Sequence, residues 1–135
     1  MQKIKRCLII DDDHDDQEIF LMCLNRVDSD VNCLTADDGV EAVAMLKSDS
    51  NYTPDFIFID VNMPKMNGIE CLKILKNIER LKYTKIFMYS TTSEASFVKE
   101  SRNLGADDFI IKPSRTAELK DKLARIFGIV SVVSK

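Results

Sequence analysis

Hydrophobic positions in this chain change period repeatedly, from short unbroken runs to spacings of three and four and back again. The runs are Leu8-Ile9-Ile10, Phe56-Ile57-Phe58-Ile59, Ile86-Phe87-Met88-Tyr89 and Phe109-Ile110-Ile111. They are too short for helices and show no alternation with polar residues, so they predict strands buried on both faces. A weaker segment at 31–35, Val-Asn-Cys-Leu-Thr, reads as one more short strand.

Between the runs the spacing is helical. Ile19, Phe20, Cys23, Leu24 and Val27 predict a first helix. Asp38 with Glu41 three positions on forms a capping-box pattern that opens a second helix, with Val40, Val43 and Leu46 as its apolar positions. Residues 47–54 read as a polar loop. Asn67-Gly68 with Glu70 opens a third helix carrying Ile69, Leu72, Leu75 and Ile78. A weaker helix over 94–104, with Phe97, Val98 and Leu104, stops at Gly105. Ser114 is expected to cap a last helix bearing Leu119, Leu123, Ile126 and Phe127, ended by Gly128.

Five strand–helix pairs in one short chain predict a single parallel sheet covered by helices on both faces and joined by right-handed crossovers. The expected organisation is one α/β domain over 1–128 and a short tail, 129–135, with no output domain.

The strand ends carry the candidate chemistry. The first run stops at Asp11 and Asp12, the second at Asp60, the third at Ser90 and the last at Lys112. In open α/β sheets ligands bind beyond the carboxyl ends of the strands, so these residues are expected to converge. Three carboxylates within about 4 Å of one another would repel by several kcal/mol per pair. A divalent cation resolves that repulsion, and magnesium suits a few carboxylates, a carbonyl, waters and a phosphate. Asp60 could then act as nucleophile toward phosphorus, with Lys112 as a point charge for the phosphoryl oxygens and Ser90 as a hydroxyl donor.

Composition narrows the classes. The 135 residues are 45% hydrophobic, enough for one cored domain. Acids outnumber bases 22 to 19, a formal charge of −3, which favours neither nucleic acid nor an anionic membrane as partner. No apolar stretch approaches the roughly 18 residues of a membrane span, and only four apolar residues follow Lys3, Lys5 and Arg6, too few for a signal peptide. A cytoplasmic location is the expectation. Cys7, Cys23, Cys33 and Cys71 have no paired spacing and apolar neighbours, so they read as buried reduced thiols.

Other features have plainer readings. Asp13, Asp15 and Asp16 are first-turn acids that complement the helix dipole. The Asp11-x-Asp13-x-Asp15 spacing imitates a calcium loop, but Asp16 stands where that loop needs Gly and Met22 where it needs Glu. His14 reads as a solvated loop residue, and Met63 and Met66 as packing residues.

Taken in order, Asp11-Asp12, the string Asp60-Val-Asn-Met-Pro-Lys-Met-Asn-Gly68, Ser90 and Lys112-Pro113 resemble the receiver domain of two-component response regulators, and the resemblance covers residues 4–127. It implies a flavodoxin-like sheet of strand order 2-1-3-4-5. It also implies that Asp60 is the phosphoacceptor, that Asp12 and Asp60 bind magnesium directly with Asp11 acting mainly through water, and that Asn62 adds its backbone carbonyl. Ser90 and Phe109 correspond to the family's hydroxyl and aromatic switch pair, with Ser in place of Thr and Phe in place of Tyr. Asn62 and Thr92 would tune the phosphoryl lifetime, and the Lys112–Pro113 peptide is expected to be cis.

The function so implied is a stand-alone phosphorelay switch rather than an enzyme. It would take a phosphoryl group from a sensor histidine kinase or a phosphotransfer protein and signal to a protein target through the last two helices and fifth strand. It would act as a monomer or a phosphorylation-linked homodimer. Two rivals are a haloacid-dehalogenase-type phosphatase, whose nucleophile follows the first strand instead, and an interaction module independent of phosphate.

Overall fold

The computed structural model describes residues 5–128. It contains five strands: β1 Arg6–Ile10, β2 Asn32–Ala36, β3 Phe56–Ile59, β4 Lys85–Ser90 and β5 Asp108–Ile111. Alternating with them are α1 His14–Val27, α2 Gly39–Ser48, α3 Gly68–Lys76, α4 Ala95–Asn103 and α5 Thr116–Ile126. The sheet is parallel throughout, in the order β2-β1-β3-β4-β5. Strand order reverses between β1 and β3, which makes the crevice beyond their carboxyl ends the switch point of the sheet.

Side-chain alternation divides the core into two layers. Leu8, Ile10, Ile57, Ile59, Ile86 and Met88 point to one face and pack with Leu46, Leu72 and Leu75 from α2 and α3. Cys7, Ile9, Phe58, Phe87 and Tyr89 point to the other and pack with Phe20 and Leu24 of α1 and Leu119 and Leu123 of α5. An aromatic group fixes that second layer, with the Phe20 ring 4.8 Å from Phe58 and 5.5 Å from Tyr89. Both faces of β1, β3 and β4 are therefore dry, which is why their sequences read as unbroken apolar runs.

The helix ends follow from local chemistry, with some departures from expectation. Asp13 caps α1 by accepting from the N–H groups of Asp15 and Asp16. The full capping box forms only at α3, where Asn67 and Glu70 satisfy each other's backbone N–H. At α2 the pattern is half met: Asp38 accepts from Glu41, but the Glu41 carboxylate reaches the N–H of Asp37 instead. Ser114 is not the cap of α5; Arg115 takes that position, and no side chain bonds there.

Apolar spacing also overstates what is buried. Ile19 and Val40 are largely exposed, while α2 packs through Gly39, Ala42 and Leu46. The expected polar loop begins later, because α2 runs to Ser48. A 3-10 turn at Glu79–Leu81, absent from the sequence reading, staples this loop. There the Arg80 guanidinium donates to the carbonyls of Leu46 and Tyr52 and to the Thr53 hydroxyl. Cys7, Cys23 and Cys71 are buried free thiols, whereas Cys33 on the edge strand β2 is half-exposed. The expected tail at 129–135 lies outside the described residues, and no helix among those described is long and apolar enough to cross a membrane.

Candidate functional site

Each candidate residue is fixed by the ladder of the strand it follows. β1 and β3 end level, with Ile10 paired to both Ala36 and Ile59. One residue further, the Asp11 N–H donates to the Ala36 carbonyl at 3.0 Å and the Asp60 N–H to the Ile10 carbonyl at 2.9 Å. On the other side of the crevice the Lys112 N–H donates to the Ser90 carbonyl at 2.8 Å. The sheet thus sets the heights of two acids and the lysine before any side chain contributes.

The side chains then converge. Carboxylate oxygens of Asp11, Asp12 and Asp60 all lie within 4.8 Å of one another. The Lys112 ammonium sits 2.7 Å from Asp11 Oδ2, 2.8 Å from Asp16 Oδ2 and 3.8 Å from Asp60 Oδ2. Its Nζ also lies 5.4 Å from the centre of the Tyr89 ring, within cation–π range. Asp11 and Asp60 are buried and Asp12 is exposed, so the cluster opens to solvent on one side.

Burial makes the charges costly. It is the main reason the Asp60 pKa rises to about 6; Asp11 and Asp12 push the same way, against Lys112 and Ser90. Burial also raises Asp11, with Lys112 opposing. For Lys112 burial works against the charge, yet Asp11, Asp16 and Asp60 outweigh it and hold the ammonium above its ordinary value.

The geometry suits a hard divalent cation. Asp11 Oδ1 accepts from the Asp13 N–H at 3.0 Å, and the fully buried Asp11 Oδ2 has the Lys112 ammonium 2.7 Å away as its counter-charge. One lysine facing three clustered carboxylates leaves negative charge uncompensated, and such an all-oxygen donor set is what a cation of magnesium type completes.

Other candidate residues fall around this centre. Ser90 is buried, and its hydroxyl accepts from the Thr92 N–H at 3.4 Å. Phe109 is half-buried and paired in register with Met88, two residues before Ser90 on the same face of the sheet. Asn62 is exposed immediately beyond Asp60 and Val61. His14 is the first residue of α1 and lies 3.0 Å from Asp37. The expected cis peptide at Lys112–Pro113 is not found: no cis bond occurs among the described residues. The trans form is the intrinsically favoured one, and Lys112 reaches the acids from it because its backbone is already tied to Ser90.

Three residues at the site escaped the sequence reading. Asp16 does more than complement a dipole, since it accepts a hydrogen bond from Lys112. Gln17, buried on α1, donates to the Asp11 carbonyl at 2.6 Å and to Asp37 at 3.0 Å. Gly68 backs onto Asp60, leaving no room for a side chain. Only Gly68 left a sequence signal, as the last residue of the Asp60 string.

Comparison with known proteins bears on the family and the fold. Chemotaxis protein CheY-3 of Vibrio cholerae is 34% identical over 127 residues, covering 94% of this chain and 95% of that protein. The phosphorylated cyanobacterial phytochrome response regulator RcpA superposes with a TM-score of 0.84 at 25% identity, over 93% of each chain. A CheX–CheY–BeF3–magnesium complex from Borrelia burgdorferi superposes with a TM-score of 0.77 at 29% identity, over 91% of this chain and 89% of that one. Residues 7–124 match the response regulator receiver domain, and the chain belongs to that family.

Proposed function

We propose that this receiver domain is a magnesium-dependent phosphoacceptor switch in a two-component phosphorelay, with Asp60 as the accepting residue. The observation that carries the reading is the position of Asp60: a buried carboxylate at the switch point, flanked by Asp11 and Asp12 and 3.8 Å from the Lys112 ammonium. A carboxylate oxygen of Asp60 attacks the phosphorus of a phosphohistidine on a sensor kinase or phosphotransfer protein. The new O–P bond forms as the N–P bond breaks, and the departing imidazole takes up a proton.

Asp11, Asp12 and Asp60, with the Asn62 backbone carbonyl, would hold the metal; when bound, magnesium supplies the positive charge that lets an anionic carboxylate approach an anionic phosphoryl group. Lys112 contributes a second positive charge to the transferred oxygens. The Ser90 hydroxyl, now accepting from Thr92, turns to donate to a phosphoryl oxygen. Water later attacks the phosphorus and returns Asp60 to a carboxylate, with Asn62 and Thr92 bordering its approach.

The signal leaves by a protein surface. Ser90 and Phe109 share a sheet face, Phe109 lies within β5 itself, and α4 packs against that strand, with Ile111 exposed at the strand end. The Borrelia complex of a CheY with CheX, BeF3 and magnesium supports a protein partner.

Intact-mass analysis after incubation with a small phosphodonor and magnesium tests the proposal. One phosphoryl adduct is expected on the native chain and none on Asp60→Asn. No adduct from small donors or from a phosphorylated kinase would overturn it.

A further inference from the structure

The Lys112 ammonium has two close carboxylates, and they are not equivalent. Its directed hydrogen bond runs to Asp16 Oδ2 at 2.8 Å. Asp11 Oδ2 is as near, at 2.7 Å, but that ion pair is to a carboxylate that belongs to the cluster with Asp12 and Asp60. We propose that Asp16 is a positioning residue: it gives the Lys112 ammonium a partner outside the acid cluster, so that the lysine can cede Asp11 to a cation and stay in place.

Three features make Asp16 suited to this. Its backbone is fixed by the α1 cap, with the Asp16 N–H donating to Asp13 Oδ1 at 3.1 Å. Its side chain is 31% exposed whereas that of Asp11 is fully buried, so the Asp16 carboxylate gives up less hydration to make its contact. The Tyr89 ring meets the ammonium from the core side, so Asp16 and Tyr89 hold it by contacts that need neither Asp11 nor Asp60.

The consequence concerns competition. Without Asp16, the only carboxylates left close to Lys112 among the described residues are Asp11 and Asp60, two of the three acids the cation needs. A lysine settled between them would oppose metal entry. With Asp16 present, a cation can claim Asp11 while the lysine keeps its directed partner and stays beside Asp60 to meet an incoming phosphoryl group.

This inference rests on the magnesium site proposed above, and a double-substitution cycle on the full chain separates the two. Magnesium affinity is measured by titration calorimetry for the native protein, Asp16→Asn, Lys112→Met and the double variant, with Asp16→Glu as the conservative control. Asp16→Asn should weaken magnesium binding about tenfold, in the range seen when a partner of a metal ligand is removed. The same change in the Lys112→Met background should weaken it less than about threefold, the remainder being the through-space loss of one charge. Asp16→Glu should recover most of the affinity. In parallel, the Lys112 ammonium resonance in a 15N-resolved spectrum without metal should shift or vanish in Asp16→Asn.

Equal weakening in both backgrounds, or none, would overturn the proposal, as would an ammonium resonance unchanged by Asp16→Asn. A native protein that binds no magnesium at all would defeat the metal site itself, and the inference with it.

Discussion

Gly68 and Asp60 are in backbone contact: a Cβ placed on Gly68 would lie 2.2 Å from the Asp60 carbonyl oxygen and 2.8 Å from the Val61 α-carbon. The first turn of α3 is therefore laid directly against the strand end that presents the candidate acceptor. The Gly68 N–H closes the loop by donating to the Val61 carbonyl at 2.8 Å. Neither obstructing atom belongs to a flexible side chain, so an added methyl can be housed only by moving α3 or Asp60.

Gly68→Ala should consequently lower unfolding stability by about 2 kcal/mol or more, above the ordinary gain from replacing glycine in a helix. Urea denaturation measures that loss. Because the displaced atoms include the Asp60 backbone, magnesium affinity should fall in the same variant, even though no metal-facing side chain has changed.

The acid cluster predicts an unusual pH dependence. The Asp60 pKa rises from an ordinary 3.8 to about 6, and that of Asp11 rises as well, each chiefly through burial. A carboxyl with a raised folded pKa binds more protons folded than unfolded between those two values. Its stabilising contribution is then complete at low pH and is lost as pH climbs through about 6. Metal-free protein should be less stable at pH 7.5 than at pH 5. Asp60→Asn, which abolishes that titration, should flatten the slope and raise metal-free stability at pH 7.5 by on the order of 2 kcal/mol. Paired urea titrations at the two pH values test this, and a native protein more stable at pH 7.5 without metal would contradict it.

Arg80 offers a contrast, a residue that matters to the fold and not to the site. Its guanidinium satisfies the Leu46 and Tyr52 carbonyls and the Thr53 hydroxyl, tying the end of α2 to the loop before β3. Arg80→Ala removes these charge-assisted bonds and should cost about 1.5–3 kcal/mol in urea denaturation. Phosphoryl acceptance by the remaining folded protein should be unchanged, since the loop lies at the opposite end of the strands from Asp60.

What could be read from the sequence, and what could not, follows from the range of each interaction. The strands were legible because burial on both faces leaves an unbroken apolar run, as at Phe56–Ile59, whose bounds were anticipated. The converging ends Asp11, Asp60, Ser90 and Lys112 were legible because a parallel sheet places all its carboxyl ends together. Asp16, Gln17 and Arg80 were not. Each is an ordinary polar residue locally, and acquires its role from a contact the fold makes, with a partner 96 residues away for the Lys112–Asp16 pair. Helical spacing likewise placed Ile19 and Val40 with the core, though they are 40% and 46% exposed. The trans Lys112–Pro113 peptide departs from what the family resemblance implied.

The two helices that flank β4 in sequence are built to different strengths, and their local stability should show it. α3 has a complete capping box and buries Gly68, Ile69, Cys71, Leu72 and Leu75. α4 buries only Ser101, and its N-cap, Glu94, makes no side-chain hydrogen bond. A helix with an unsatisfied first turn and little buried apolar surface opens at small free-energy cost. Amide hydrogen exchange should therefore be faster across Ala95–Asn103 than across Gly68–Lys76 by at least about tenfold, which corresponds to roughly 1.4 kcal/mol of opening free energy. Phe97, Leu104 and Phe109 all pack against the core layer on the Ser90 side of the sheet, so a phosphoryl group that engages Ser90 acts near this weakly held helix. Loading Asp60 with a phosphoryl mimic should alter exchange in α4 and β5 before it alters α3. Equal protection of the two helices, or a response confined to α3, would show that the signal takes another route.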